Sequence, residues 1–307
     1  SDDSIIQLNA MKTLNLLSHN ENNKREILCR SSVMLGKLLH LSKDHSTEEI
    51  IAKQAVRTIA SLSMFEANKL KVTQAGAVEP LFAMSITDLL QDEAQWVIEV
   101  YCTAENIQVQ FAAILALLHL TKRRKTTENL NNMNIYRHLL PMLTEETVTD
   151  EKMLTQICLV LGRMASNCDA VKDSFMEDGV RESLLDLLMK SESTTLQSEL
   201  VALFGCALLS TSDAVATHRE NLTRNPVLLM WKTLLGSSYA PLRHRVVNVL
   251  RLLAKDERVR IRSMKEVFDA EWLENIEDQE NDNKVLKDLR ALCKLLKTPS
   301  GWFIHIR

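Results

Sequence analysis

Glycine and proline are scarce in this 307-residue chain, with 7 and 5 copies, and aromatic side chains make up only 5%. A β-sandwich or barrel needs turn residues every few positions, so this scarcity excludes an all-β chain. Long hydrophobic runs are missing as well. No stretch approaches the ~18–20 apolar residues of a membrane span, and Ser1-Asp2-Asp3-Ser4 does not read as a secretory leader. A strong charge of either sign is absent: the net value of −3 advertises neither nucleic-acid nor membrane affinity. Six cysteines are scattered at 29, 102, 158, 168, 206 and 293 with no C-x-x-C. Most lie in apolar helical runs, so they are expected to be reduced core thiols of an intracellular protein, cytoplasmic or nuclear.

Catalytic patterns are missing too. The eight histidines form no H-E-x-x-H, and His40 and His45 fall on different helical faces. There is no G-x-S-x-G, Walker loop or G-x-G-x-x-G. The expectation is a non-enzyme that holds no metal and no cofactor.

What the chain does contain is helix-forming residues in a repeating pattern. Leu, Lys, Glu, Ala and Met dominate. The length exceeds what one hydrophobic core usually fills, leaving two domains or a repeat array. Asn9–Ser18 reads NAMKTLNLLS, Gln54–Ser63 QAVRTIASLS, Gln156–Ala165 QICLVLGRMA and Arg245–Ala254 RVVNVLRLLA, with further copies at Ala112–Thr121 and Glu199–Leu208. Their penultimate residues, 17, 62, 120, 164, 207 and 253, are 45, 58, 44, 43 and 46 apart. A second marker keeps the same phase: Gly76, Asn134, Gly179 and Asn225 each precede an apolar helix start. Gly and Asn tolerate the left-handed backbone that ends one helix and turns into the next.

Ala75-Gly76-Ala77-Val78-Glu79-Pro80-Leu81 is similar to the armadillo junction, a short helix, a glycine turn and a second helix. Asp178-Gly179-Val180, running through Leu187-Leu188 to Leu196-Gln197, follows the same plan. The period also fits HEAT units, which have two helices where armadillo units have three. The resemblance implies an all-α, right-handed α-solenoid of about six armadillo-like repeats, forming one domain over residues 1–307. Units are expected at 5–18, 22–63, 67–121, 127–166, 168–209, 214–255 and 256–297. The surplus in the third unit lies near Gln91–Asn106, read as one extra or extended helix. Glu145–Glu151 and Glu274–Asp282 are expected as solvated acidic loops. The start without methionine and the abrupt end at Trp302–Arg307 are expected of a segment cut from a longer protein.

Armadillo proteins present the third helix of each unit along a groove and often carry an asparagine ladder there. The aligned positions here are Leu16, Ser61, His119, Arg163, Cys206 and Leu252, none of them asparagine. That departure argues against an extended-peptide groove of the importin-α or β-catenin kind. Taking the residues four and seven before each ladder position as the same face gives the expected partner-binding residues Lys12, Arg57, Ser61, His119, Arg163, Arg245 and Asn248. Against one Glu199 they make the face mildly basic, suited to an acidic segment or phosphate; an ordinary solvated helix edge is the plainer alternative. Lys122-Arg123-Arg124-Lys125 is placed to serve the carbonyls ending a third helix. Arg243-His244-Arg245, Arg251, Arg258, Arg260 and Arg262 make the terminal region basic, but no aromatics alternate with them as base stacking needs.

The functional expectation is a scaffold, adaptor or chaperone-like module that binds a protein partner. Leu242-Arg243-His244-Arg245 is similar to the armadillo domain of myosin-folding (UCS-type) chaperones, a likeness that assigns no residue roles. The alternative is a regulatory domain that senses a phosphorylated small molecule for an attached effector, such as a TIR hydrolase. Nucleic-acid binding is the third reading, disfavoured by composition.

Overall fold

Helices follow one another without a strand among the described residues, which in this computed structural model are 2–30, 32–43, 49–86, 91–145, 148–256 and 263–297. After α1 (Asp2–Ser18) they come mostly in threes. The first set is α2 (Glu21–Arg30), α3 (Ser32–Lys43) and α4 (Glu49–Ser63). Next are α5 (Glu66–Gln74), α6 (Val78–Ile86), α7 (Gln91–Cys102) and α8 (Ile107–Leu120), so the surplus residues form a helix of their own. The set α9 (Arg124–Asn132), α10 (Tyr136–Thr144) and α11 (Glu151–Ala165) precedes α12 (Asp169–Ser174), α13 (Val180–Lys190) and α14 (Thr194–Ala207). The last two sets are α15 (Val215–Leu222), α16 (Asn225–Leu235) and α17 (Ala240–Ala254), then α18 (Lys265–Val267), α19 (Ala270–Gln279) and α20 (Asn283–Lys297). Three helices per period is the armadillo pattern and not the two of HEAT.

Contacts divide the chain into two units, residues 1–139 and 140–307. In the second, the third helices α11, α14, α17 and α20 pack side by side in a row. Each is the longest helix of its set. Val201, Leu203, Phe204, Val246, Val249 and Leu250 are all buried. The starts of these helices are fixed locally. Asp150 caps α11 by accepting from the Lys152 N–H at 2.8 Å, and Ser193 caps α14 by accepting from Leu196 N–H at 3.2 Å. Asp282 caps α20 through Lys284 and Val285, and α17 opens instead on Pro241 in its first turn. Each such cap is worth ~1 kcal/mol. In the first unit α1 and α4 pack in the same way, while α8 packs on α6, α7 and α5.

Polar links join neighbouring sets at the spacing of the sequence repeat. The Ser61 hydroxyl donates to Ser18 O at 2.9 Å and Asn68 Nδ2 to Lys24 O at 2.8 Å, 43 and 44 residues apart. In the second unit Asp169 receives the Thr211 N–H at 3.1 Å and Lys172 Nζ at 2.7 Å, and these bonds, Lys172 first, hold its carboxyl down at about 2. His218 Nε2 meets Asp173 Oδ1 at 3.0 Å.

Several expectations change. Gly76, Asn134 and Gly179 do take positive φ, at 67°, 54° and 84°, but Asn225 does not. There Thr223 ends α15 and an extended Arg224 leads into a helix whose first turn holds a proline, so no left-handed residue is needed. The acidic stretch Glu274–Asp282 is not a solvated loop. Residues 274–279 are helical, and Glu280, only 3% exposed at its side chain, forms a bidentate pair with Arg243 at 2.7 and 2.8 Å. The Arg243 bonds keep the Glu280 carboxyl below its ordinary range. Glu151 likewise opens α11 and accepts from Ser191 Oγ at 2.7 Å. The carbonyls ending α8 are taken by the backbone N–H groups of Lys122 and Arg123, while side chains 122–125 stay exposed. Arg258, Arg260 and Arg262 lie outside the described residues.

The φ of +84° at Gly179 sets a test. Gly179→Ala should lower stability by about 1–2 kcal/mol, the cost of a left-handed L-residue, because no neighbouring atom lies within 4 Å to add a clash. Asn225→Ala should change it by less than ~0.5 kcal/mol. Urea unfolding of the two variants beside the parent chain reads both.

Candidate functional site

The second unit presents a cleft of about 430 Å³ along its row of third helices. Helix α14 supplies Val201, Ala202, Gly205 and Cys206, with Leu209 in the turn that follows it; α17 supplies Arg245, Asn248, Val249, Arg251 and Leu252, with Lys255 at its C-cap; α20 adds Leu295. Positions 202 and 206 lie on one face of α14, and 245, 248 and 252 on one face of α17, so side-by-side packing makes these two stripes the walls. Gly205 keeps its wall low, with Val249 Cγ2 3.6 Å from where a β-carbon would stand.

Charge in and around the cleft is largely answered from neighbouring helices. Arg245 Nη1 donates to Glu199 Oε2 and to Ser198 O, both at 2.7 Å. Asp288 on α20 receives Arg251 and sits 2.9 Å from His244 Nε2. Asn248, which lines the cleft, has Nδ2 3.4 Å from the same His244 nitrogen. Two carboxylates thus meet two arginines. Lys255 is exposed and has no carboxylate partner among the described residues.

The seven residues expected to bind a partner are distributed as follows. Arg245 and Asn248 line the cleft together, beside the ladder positions Cys206 and Leu252. Arg163, on α11 in the same unit, is half-exposed and not free of partners. In the first unit Lys12 is exposed on α1. Arg57 on α4 is half-buried and already engaged. Ser61 is 8% exposed, and its hydroxyl ties α4 to α1. His119 is exposed on α8, where Nδ1 stands 3.2 Å from Glu79 Oε2. Among the lining residues that the sequence reading does not place on this face are Leu209, Lys255 and Leu295, besides Val201, Gly205 and Val249. The first two carry a sequence signal, since they continue the same helical stripes by one more turn. Leu295 carries none, because it arrives from the next repeat.

Burial pushes the Cys102 thiol up to about 12 and raises Cys158, Cys206 and Cys293 as well, so none is a ready nucleophile near neutral pH. Among the described residues no group of three or more His, Cys, Asp or Glu side chains is gathered to hold a metal ion, and no helix is long and apolar enough to cross a membrane.

No family model and no curated protein matches the sequence. Solved structures do. A designed armadillo repeat protein superposes with a TM-score of 0.55 at 14% identity, covering 85% of this chain and 99% of its own. Another, described as computationally designed for modular peptide recognition, gives 0.54 at 15% identity over 85% and 99%. An engineered protein spans 95% of this chain and 74% of its own at 0.56 and 18% identity. The likeness is one of fold, and it defines the fold class: an armadillo-like α-solenoid.

The Arg245–Glu199 contact is partly buried, between the ~0–1 kcal/mol of exposed pairs and the larger penalty of an orphaned buried charge. Arg245→Glu should therefore cost about 1–3 kcal/mol by setting two carboxylates together. The exchanged pair Arg245→Glu, Glu199→Arg should recover most of it in urea unfolding. A single variant as stable as the parent would show that the pair contributes nothing.

Proposed function

We propose that this chain is a non-catalytic protein-interaction module, and that its binding face in the second unit is the cleft between α14 and α17. The partner is a protein segment with an aliphatic or aromatic side chain flanked by carboxylates. The observation that carries this reading is the make-up of the cleft: an apolar lining of Val201, Leu209, Leu252 and Leu295, the amide side chain of Asn248, and an exposed cation at Lys255 with no carboxylate partner among the described residues. Concave sites of this size that combine apolar walls with a few polar groups are where ligands bind. The described purpose of one designed structural neighbour, modular peptide recognition, agrees with a segment as the ligand.

With leucine and cysteine at the ladder positions, no asparagine clamps the ligand backbone at regular intervals. Recognition then rests on side chains, with modest affinity and steering by charge. A phosphate-sensing role is less well supported, since the arginines at the cleft already hold carboxylates and His119 faces Glu79. Adaptor and chaperone-like roles both use this surface in the same way.

The test uses a fluorescent peptide with a leucine or phenylalanine between aspartates, titrated with the 307-residue chain. Lys255→Glu should weaken binding by roughly tenfold or more while shifting stability by no more than ~0.5 kcal/mol. Binding should also fall as salt rises, because exposed charges are screened over a Debye length of ~8 Å at physiological ionic strength. Equal affinity for an asparagine-substituted peptide, or for the Lys255→Glu chain, would remove the cleft from the account.

A further inference from the structure

Two cavities of the second unit repeat each other. The first, of about 360 Å³, lies where α10 ends and α11 begins, against α13. The other, of about 660 Å³, stands in the same relation to α16, α17 and α19. Thr149, Leu154, Asp186 and Ser191 line the first; Ser238, Arg243, Asn275 and Glu280 line the second, each 89 residues and two repeats further on. Neither shares a lining residue with the α14–α17 cleft. In the second cavity Arg243 meets Glu280 through Nε and Nη2, at 2.8 and 2.7 Å, and donates to Ser237 O at 2.8 Å. In the first, Leu154 stands in the position of Arg243 and Val148 in that of Ser237, so the chain supplies no arginine there. A carboxylate is present all the same. Glu151, whose counterpart is Ala240, accepts through Oε1 from Ser191 Oγ at 2.7 Å and from the Ser193 N–H at 3.3 Å. Ser191 is the counterpart of Glu280, so Glu151 is bonded to the residue that stands where the second cavity has its acid. Both bonds fall on one oxygen, which leaves Oε2 without a partner among the described residues.

We propose that the first cavity binds an arginine side chain of a partner protein, which takes the part that Arg243 plays within the chain two repeats later. Asp186, where the second cavity has Asn275, is exposed and has no cation partner among the described residues. With Glu151 it gives the first cavity two carboxylates, against one lysine, Lys190, that is already engaged. Leu143, Val148, Leu154 and Leu187 supply apolar lining. An arginine answers both features: its methylene stem lies along apolar surface, and its planar fork meets carboxylate oxygens in a way that the point charge of a lysine does not. The volume is at the lower end of the ~300–1,000 Å³ of ligand sites, a size for one long side chain. The Ser191 and Ser193 bonds come from the following set and hold Glu151 in place before any partner arrives. The site asks for a charge opposite to that of the segment assigned to the α14–α17 cleft, and it stands independently of that assignment.

The probe is the blocked peptide acetyl-Gly-Gly-Arg-Gly-Gly-amide, titrated by NMR into the nitrogen-15-labelled 307-residue chain. Amide shifts should saturate and be largest at Thr149, Glu151, Asp186 and Ser191. The same peptide with citrulline, neutral and of nearly the same shape, should bind roughly tenfold more weakly, because it lacks the charge that the carboxylates answer. Asp186→Asn, which installs the residue of the second cavity, should weaken the arginine peptide about three- to fivefold. Its melting temperature should match that of the parent, since the side chain is exposed. Equal binding of the citrulline peptide, or an Asp186→Asn chain that binds as the parent does, would overturn the proposal. Arginine shifts that fall along α14 and α17, or that scatter over the chain without saturating, would overturn it equally.

Discussion

Side-by-side packing of the third helices is the constraint on which the rest of the second unit depends. None of α11, α14, α17 and α20 can bury its apolar face within its own set of three, and each completes its neighbour. The ion pairs and the cleft both follow from that. Arg245 reaches Glu199 and Arg251 reaches Asp288 because α17 lies between α14 and α20. The cleft exists because two adjacent helices turn equivalent faces the same way, and Gly205 withholds a side chain from it.

The same constraint explains how the two open apolar features differ. The α14–α17 cleft lies along the row and is built from two helices, with charge at its rim and space at its centre. On α1 the stripe of Ile6, Ala10, Thr13 and Leu17 is exposed, while the equivalent stripe of α4 is buried. The first suits a segment of changing sequence held by a few anchors.

The sequence made the local features legible. The period, the three-helix sets and the turns at Gly76, Asn134 and Gly179 are written in residues close together in the chain. Arg245, Asn248, Cys206 and Leu252 fell into one face by alignment alone, and the structure brings them to one cleft. What the sequence concealed is what crosses between repeats. Arg245 reads as a free cation until Glu199 is placed beside it, and Glu280 reads as part of a solvated loop until Arg243 comes within 2.7 Å. The Asn225 turn misled for a different reason: a proline in the next helical turn does the work that a left-handed asparagine does at position 134.

Native-state hydrogen exchange tests the central claim most directly, since it reports which helices open together. If the third helices form one mutually supporting row, the central amides of α11, α14, α17 and α20 should exchange last and with a common opening free energy. Amides of α12, α15 and α19 should exchange earlier. Exchange of α14 and α17 at the rate of the first helices in their sets, or a separate early opening of each third helix, would contradict the account.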